Sequence, residues 1–257
     1  MPPPDEVRLG PLTSTVLDGA VWRDGSQFPA FQVWADEVER VLSFLQARGV
    51  FARFLPRLRA REREGALAEG RAAFFFHRNG FHILRWEPEA VPNHPGDIEI
   101  QWQQREPVFV EVKGPGWKGE LSADEIGGQR TWLPKYINAE ARAIEPTERV
   151  LYSVRKALPK LAGHRANLVV AVDDLFVSPV ELPKDYLAAA LARSLEPTEF
   201  ARVGGVLLLN PVSHGDFVEY RKYFVPNAAA EHPLPHDIRA GFIAGNSDPQ
   251  GPRWLRE

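Results

Sequence analysis

The stretch that decides the fold runs from Asp97 to Lys113. It comprises Asp97-Ile-Glu-Ile-Gln-Trp102, a turn at Gln103–Pro107, and Val108-Phe-Val-Glu-Val-Lys113. Side chains along a strand point alternately to opposite faces. In the first segment Ile98, Ile100 and Trp102 therefore share one face, and Asp97, Glu99 and Gln101 the other. In the second, Val108, Val110 and Val112 share one face, and Phe109, Glu111 and Lys113 the other. Glu111 and Lys113 are two apart, so their Cβ atoms lie about 7 Å from each other on one side. A charged pair in so apolar a strand is costly unless it has partners. Thirteen residues separate Asp97 from Glu111. That is room for one strand, a short turn and a return, so a hairpin brings Asp97 beside Glu111.

Two carboxylates and an ammonium then share one spot, which suits a hard divalent cation. Mg²⁺ takes oxygen ligands and keeps several waters, with one or two carboxylates completing its shell. Such a metal lowers the pKa of water and polarises a phosphoryl oxygen. Lys113 is placed to orient a water or to neutralise charge growing on a phosphate. The blander reading is a surface hairpin with a solvated Glu and Lys. Phe109 argues against it, because it shares their face and calls for cover from a helix.

Outward from this hairpin the periodicity is that of a mixed α/β chain. Residues 1–30, rich in Pro and Gly, read as an extended arm. Val33, Trp34, Val38, Val41, Leu42 and Leu45 recur at helical spacing and Gly49 stops them. From about Arg57 to Arg78 a second helix sets Leu67, Ala68, Ala72, Phe75 and Phe76 on one face, and Asn79-Gly80 ends it. Phe81–Trp86 is a short strand, followed by a turn-rich stretch to Pro95-Gly96. Ser122-Ala-Asp-Glu125 fits a capping box, weakened by Gly127-Gly128. Val150, Leu151, Val154, Leu158 and Leu161 form an amphipathic helix. Asn167–Val172 is a strand apolar enough to be covered on both faces. Tyr186–Leu195 is helical, Gly204–Leu209 and Tyr220–Val225 are strands, and the tail after Asn227 reads as irregular. The order predicts a mixed sheet with helices on both faces.

Asp97-x13-Glu111-Val112-Lys113 resembles the motif of the PD-(D/E)XK nuclease superfamily, the restriction-endonuclease-like fold. Its members carry an Asp at a strand start and (D/E)-x-K on the next strand, after a helix bearing a Glu. The resemblance covers about residues 65–172. It implies an αβββαβ core, here with an N-terminal helical extension, and Mg²⁺- or Mn²⁺-dependent phosphodiester hydrolysis. It makes Asp97 and Glu111 metal ligands and Lys113 the catalytic lysine. Glu69, in Ala66-Leu-Ala-Glu-Gly-Arg-Ala-Ala73, best matches the acid of the helix, ahead of Glu62 and Glu64. One departure is Gly96, where the superfamily usually has Pro. Another concerns the Gln and Tyr that some members place four apart on the following helix: Gln129 and Tyr136 stand seven apart.

Arg53, Arg57, Arg59, Arg61 and Arg63 crowd one stretch before the acid helix, and a phosphate backbone would need such a run. A solvated helix face paired with Glu62 and Glu64 accounts for it equally well. Arg149, Arg155, Lys156, Lys160, His164 and Arg165 make a second basic stretch, read mainly as a solvated face. Gly114-Pro-Gly-Trp-Lys-Gly119 lacks the ending of a phosphate loop. Its Trp117 and Lys118 suit a base and a phosphate, or plain loop packing. His232 and His236 are separated by Pro233 and Pro235, which prevent a helical zinc pair. His94 reads as a loop histidine. Tyr220-Arg-Lys-Tyr-Phe224 reads as an edge strand.

Composition narrows the classes. The absence of Cys excludes disulfides, thiolate catalysis and Cys-ligated metals. No apolar run is long enough for a membrane span, and Met1-Pro-Pro-Pro-Asp-Glu6 is not a signal peptide, so a cytoplasmic protein without a membrane partner is expected. A net charge of −3 excludes a generally basic coat but not a local basic groove. The expected organisation is an arm and helix at 1–54, a nuclease-like core at 55–230 and an irregular tail at 231–257. The expected partner is nucleic acid, with DNA preferred. A dimer would suit double-strand cutting, though the sequence shows no interface. A second reading stays open: a non-catalytic nucleic-acid-binding or protein-interaction module that keeps this fold.

Overall fold

The computed structural model describes residues 8–17, 30–60, 63–114, 146–172, 184–214 and 217–244. Its centre is the strand Val108–Lys113 (β5). On one side β5 pairs antiparallel with Ile98–Trp102 (β4), which pairs antiparallel with Phe81–Trp86 (β1). On the other side it pairs in parallel with Asn167–Val172 (β6), and β6 in parallel with Gly205–His214 (β7). Phe217–Pro226 (β8) closes the row antiparallel to β7. The sheet is therefore mixed, in the order β1-β4-β5-β6-β7-β8, with β8 at an edge as its aromatic and basic alternation predicts.

The alternation along β5 sorts its side chains into two cores. Val108, Val110 and Val112 join Ile98, Ile100, Leu168 and Val170 under one helical layer. That layer contains Ala30–Ala47 (α2), Phe51–Arg59 (α3) and Arg63–Arg78 (α4). Phe109, Val169 and Val206 face the other way, toward Pro146–Ala157 (α5) and Lys184–Ser194 (α6). All six residues of β6 are buried, as a strand covered on both faces must be. Phe109 has the cover its face calls for: it is fully buried with Val150, Leu151 and Val154 of α5.

Four local expectations are corrected. The Pro-rich arm contains a helix, Pro11–Leu17 (α1), held by Glu39 of α2, which accepts the N–H of Leu12 at 3.2 Å and of Thr13 at 2.8 Å. The single helix expected from Arg57 is two, α3 and α4, which break after Arg59. The turn-rich stretch before Gly96 pairs Glu89–Val91 (β2) with His94–Pro95 (β3), so His94 is strand-paired. The tail expected to be irregular forms His236–Ala244 (α7), started by Pro235, and its Ile238 and Phe242 enter the core. That core also holds Val38, Val41 and Leu42 of α2, so it is continuous across residues 54 and 230. No helix among the described residues is long and apolar enough to cross a membrane.

Candidate functional site

The β4–β5 register that pairs Ile98 with Val110 sets Asp97 opposite Glu111. Asp97 is fixed by backbone and side chain together. Its N–H donates to Val110 O at 3.3 Å, its carbonyl accepts the N–H of Glu87 at 2.9 Å, and its Oδ2 accepts the N–H of Val112 at 2.6 Å. Gly96 is what permits this entry into β4. A side chain there would collide with the ring of Phe109, and the Gly96 N–H donates to Pro88 O at 2.9 Å, a bond no proline can make.

Glu111 is completely buried. Its Oε1 forms ion pairs with two ammonium groups, Lys113 from the same strand and Lys160 at 2.9 Å. Lys160 ends the 3-10 turn Leu158–Lys160 that continues α5. The other oxygen, Oε2, is buried and has no hydrogen-bond partner among the described residues. Glu69, on α4, is 8% exposed and is gripped by a guanidinium fork from α3: Arg57 Nη1 donates to Oε2 at 2.6 Å and Nη2 to Oε1.

Three carboxylates thus meet with three cationic side chains. Burial pushes the Asp97 carboxyl up to about 8, with the negative charges of Glu69 and Glu111 adding to it and Lys113 and Lys160 opposing. Burial also raises Glu69, against the pull of Arg57 and with the push of Glu111. Burial alone would pull the Lys160 ammonium down, but Glu111, Asp97 and Glu69 outweigh it and hold it above the usual lysine range. Burial is the first cause of each carboxyl shift, so ionised carboxylates are poorly hydrated here and Asp97 keeps its proton up to about pH 8.

A divalent cation can be tested against this donor set. Among the described residues no group of three or more His, Cys, Asp or Glu is arranged to hold a metal. Glu69 has both oxygens on Arg57, which leaves the pair Asp97 and Glu111. Both are hard oxygen donors, and Glu111 Oε2 is a buried acceptor without a hydrogen-bond partner among the described residues. A two-carboxylate site completed by water fits the way Mg²⁺ binds.

Glu69, Asp97, Glu111 and Lys113 are brought together as the sequence expects. Glu62, Arg61, Trp117, Lys118, Gln129 and Tyr136 lie outside the described residues, and Glu64 lies on α4. Of the arginine run, Arg57 pairs with Glu69 and Arg53 with Glu87, while Arg59 donates to Thr15 O at 2.8 Å. The sequence reading misses Lys160 as a site residue. It also misses two further buried carboxylates and their partners. Glu37 accepts Arg71 Nη2 at 2.8 Å and the Tyr220 hydroxyl, tying α2, α4 and β8 together. Glu99 pairs with Arg165 and with Arg85, the latter at 3.3 Å.

No family model, no curated protein and no solved structure matches the chain.

Proposed function

We propose that the protein hydrolyses phosphodiester bonds in nucleic acid, DNA by preference, with a divalent metal held by Asp97 and Glu111. The observation that carries this reading is the meeting of Asp97 and Glu111 at one end of two paired strands, with Lys113 on the second carboxylate and Glu69 behind them. The order of elements agrees with the PD-(D/E)XK superfamily: an acid-bearing helix (α4), strands β1, β4 and β5, a crossover through α5, and the parallel strand β6. Gly96 in place of the usual proline has a local reason, the ring of Phe109 in the space a Cβ would take.

Bound there, Mg²⁺ would supply Lewis acidity toward a phosphoryl oxygen and lower the pKa of water. The chain supplies the rest. Asp97 and Glu111 would hold the cation relative to the sheet, since Glu111 is on β5 and Asp97 is hydrogen-bonded to it. Lys113 is a cation and no ligand, so its part is electrostatic: to position the attacking water and offset charge on the phosphorus oxygens as the P–O bond breaks. Glu69, turned toward Arg57, shapes the field on Asp97.

The non-catalytic alternative draws support from the ion pairs themselves, because Lys113, Lys160 and Arg57 all have carboxylate partners within the protein. Calorimetric titration with Mn²⁺ separates the two readings. Wild type binds one ion, while Asp97→Ala and Glu111→Ala lose at least most of that affinity. Undiminished binding in both variants removes the metal site and the hydrolytic reading with it.

A further inference from the structure

Glu111 Oε1 carries two ammonium groups where one would balance its charge. Lys113 reaches it from two residues along the same strand, and Lys160 reaches it at 2.9 Å from the turn after α5. The proposed function asks Lys113 to face the substrate. If Lys113 were the only donor to Glu111 Oε1, its departure would leave that oxygen of a completely buried carboxylate without a hydrogen-bond partner, which is unfavourable even with a metal on Oε2. Lys160 removes that obstacle.

We infer that Lys160 is the positioning residue of the site: it holds Glu111 Oε1 so that Oε2 stays aimed at the cation and Lys113 is free to leave for the phosphate. The inference rests on the proposed metal-dependent hydrolysis and adds a residue to it. Three features of the placement support it. Lys160 interacts with all three carboxylates, Glu111 most strongly, then Asp97 and Glu69. Its side chain is only one-third exposed, and Glu111, with Asp97 and Glu69, outweighs the cost of that burial, which ties the ammonium to Oε1. It also comes from the far side of the β5–β6 crossover, so its grip on Glu111 does not depend on β5 itself.

The roles of the two lysines differ in a way that can be measured. With Lys160 gone, Lys113 is the one donor left to Glu111 Oε1 among the described residues and stays on it. Lys160→Met therefore disables Lys113 without touching it. The experiment is trace acylation of the protein with acetic anhydride, read at Lys113 by mass spectrometry, with and without saturating Mn²⁺. Calorimetry run alongside establishes Mn²⁺ binding. In wild type and in Lys160→Arg, which keeps a cation on Glu111, Mn²⁺ raises Lys113 labelling severalfold. In Lys160→Met labelling stays at its metal-free level although Mn²⁺ still binds.

Turnover on DNA follows the same logic. Lys160→Met is slow at unchanged KM, Lys160→Arg recovers, and the Lys113→Met/Lys160→Met double variant is no slower than Lys113→Met alone, because the two changes remove one function. Lys113 labelling that rises as much in Lys160→Met as in wild type overturns the inference, as do additive losses in the double variant. Wild type that binds no Mn²⁺ overturns the proposed function itself, and this inference falls with it. The two failures are thus told apart by calorimetry on the unmodified chain.

Discussion

Asp97 Oδ2 accepts the backbone N–H of Val112 at 2.6 Å, so the first carboxylate of the site is anchored between the two residues, Glu111 and Lys113, that complete it. The bond crosses from the residue before β4 to the C-terminal end of β5 and makes the geometry of the acids a property of the sheet. It also decides how Asp97 should be replaced. An asparagine keeps an oxygen for Val112 and loses the charge.

Asp97→Asn is therefore expected to be as stable as wild type in acid and more stable above it. The Asp97 carboxyl is raised to about 8 when folded, against an ordinary aspartate range near 4 when unfolded. Between those values the folded state binds a proton that the unfolded state has released. Wild-type stability thus falls as pH rises from about 4 to about 8 and then levels off. The asparagine variant lacks this loss. Urea denaturation of both proteins at pH 5, 7 and 9, without divalent ions, should show a gap that widens with pH; a constant gap contradicts the raised carboxyl.

Mn²⁺ bound at Asp97 would displace that same proton. Binding is expected to tighten as pH rises toward about 8, with proton release on titration at neutral pH. Calorimetry in buffers of different ionisation enthalpy measures the protons released. Affinity that is flat across pH 6 to 9 contradicts this account of Asp97.

Gly96 and Phe109 are matched in size. A Cβ at position 96 would overlap the Phe109 ring, which is fully buried. Gly96→Ala should therefore cost about 1–3 kcal/mol, the usual range for overpacking a filled core. Phe109→Leu alone also costs stability, but in the double variant the two losses should partly cancel, because the smaller side chain vacates the space that the alanine needs. Denaturant midpoints of the four proteins test this; simple additivity would show that the ring is not the obstacle.

Much of this is legible in the sequence, and the limits have physical causes. The span of β5 and its two faces follow from a period-two pattern of six residues. Asp97 follows because a hairpin is a local structure. Lys160 does not, because it comes 47 residues after Lys113 and is delivered by a parallel crossover, which no local spacing encodes. Glu37 left a signal: it lies four residues from both Val33 and Val41, on the apolar stripe of α2, where a charge needs a buried partner such as Arg71. The helix α7 was hidden by Pro233 and Pro235, although a proline at a helix start is favourable.

Nucleic-acid affinity is expected to be salt-dependent. Contacts to the phosphate backbone release counterions, so log K for duplex DNA should fall with log salt at a slope of about −0.9 per neutralised phosphate. Arg53 has a half-exposed side chain and pairs with Glu87, whose N–H donates to the Asp97 carbonyl. Arg53→Ala should make the slope shallower by about one contact in a fluorescence-anisotropy titration. An unchanged slope would remove Arg53 from the interface.

The central claim is metal-dependent hydrolysis with Lys113 acting on the chemistry and not on the metal. The most direct measurement is cleavage of labelled DNA by wild type and Lys113→Met, with Mg²⁺ and with EDTA, beside Mn²⁺ titration of both proteins. Cleavage is predicted with Mg²⁺ and not with EDTA. Lys113→Met is predicted to lose about 10²–10³ in rate, as for removal of one electrostatic donor, while its Mn²⁺ affinity stays within a few-fold. Cleavage at the wild-type rate in Lys113→Met, or none by wild type on any DNA or RNA offered, would contradict the account.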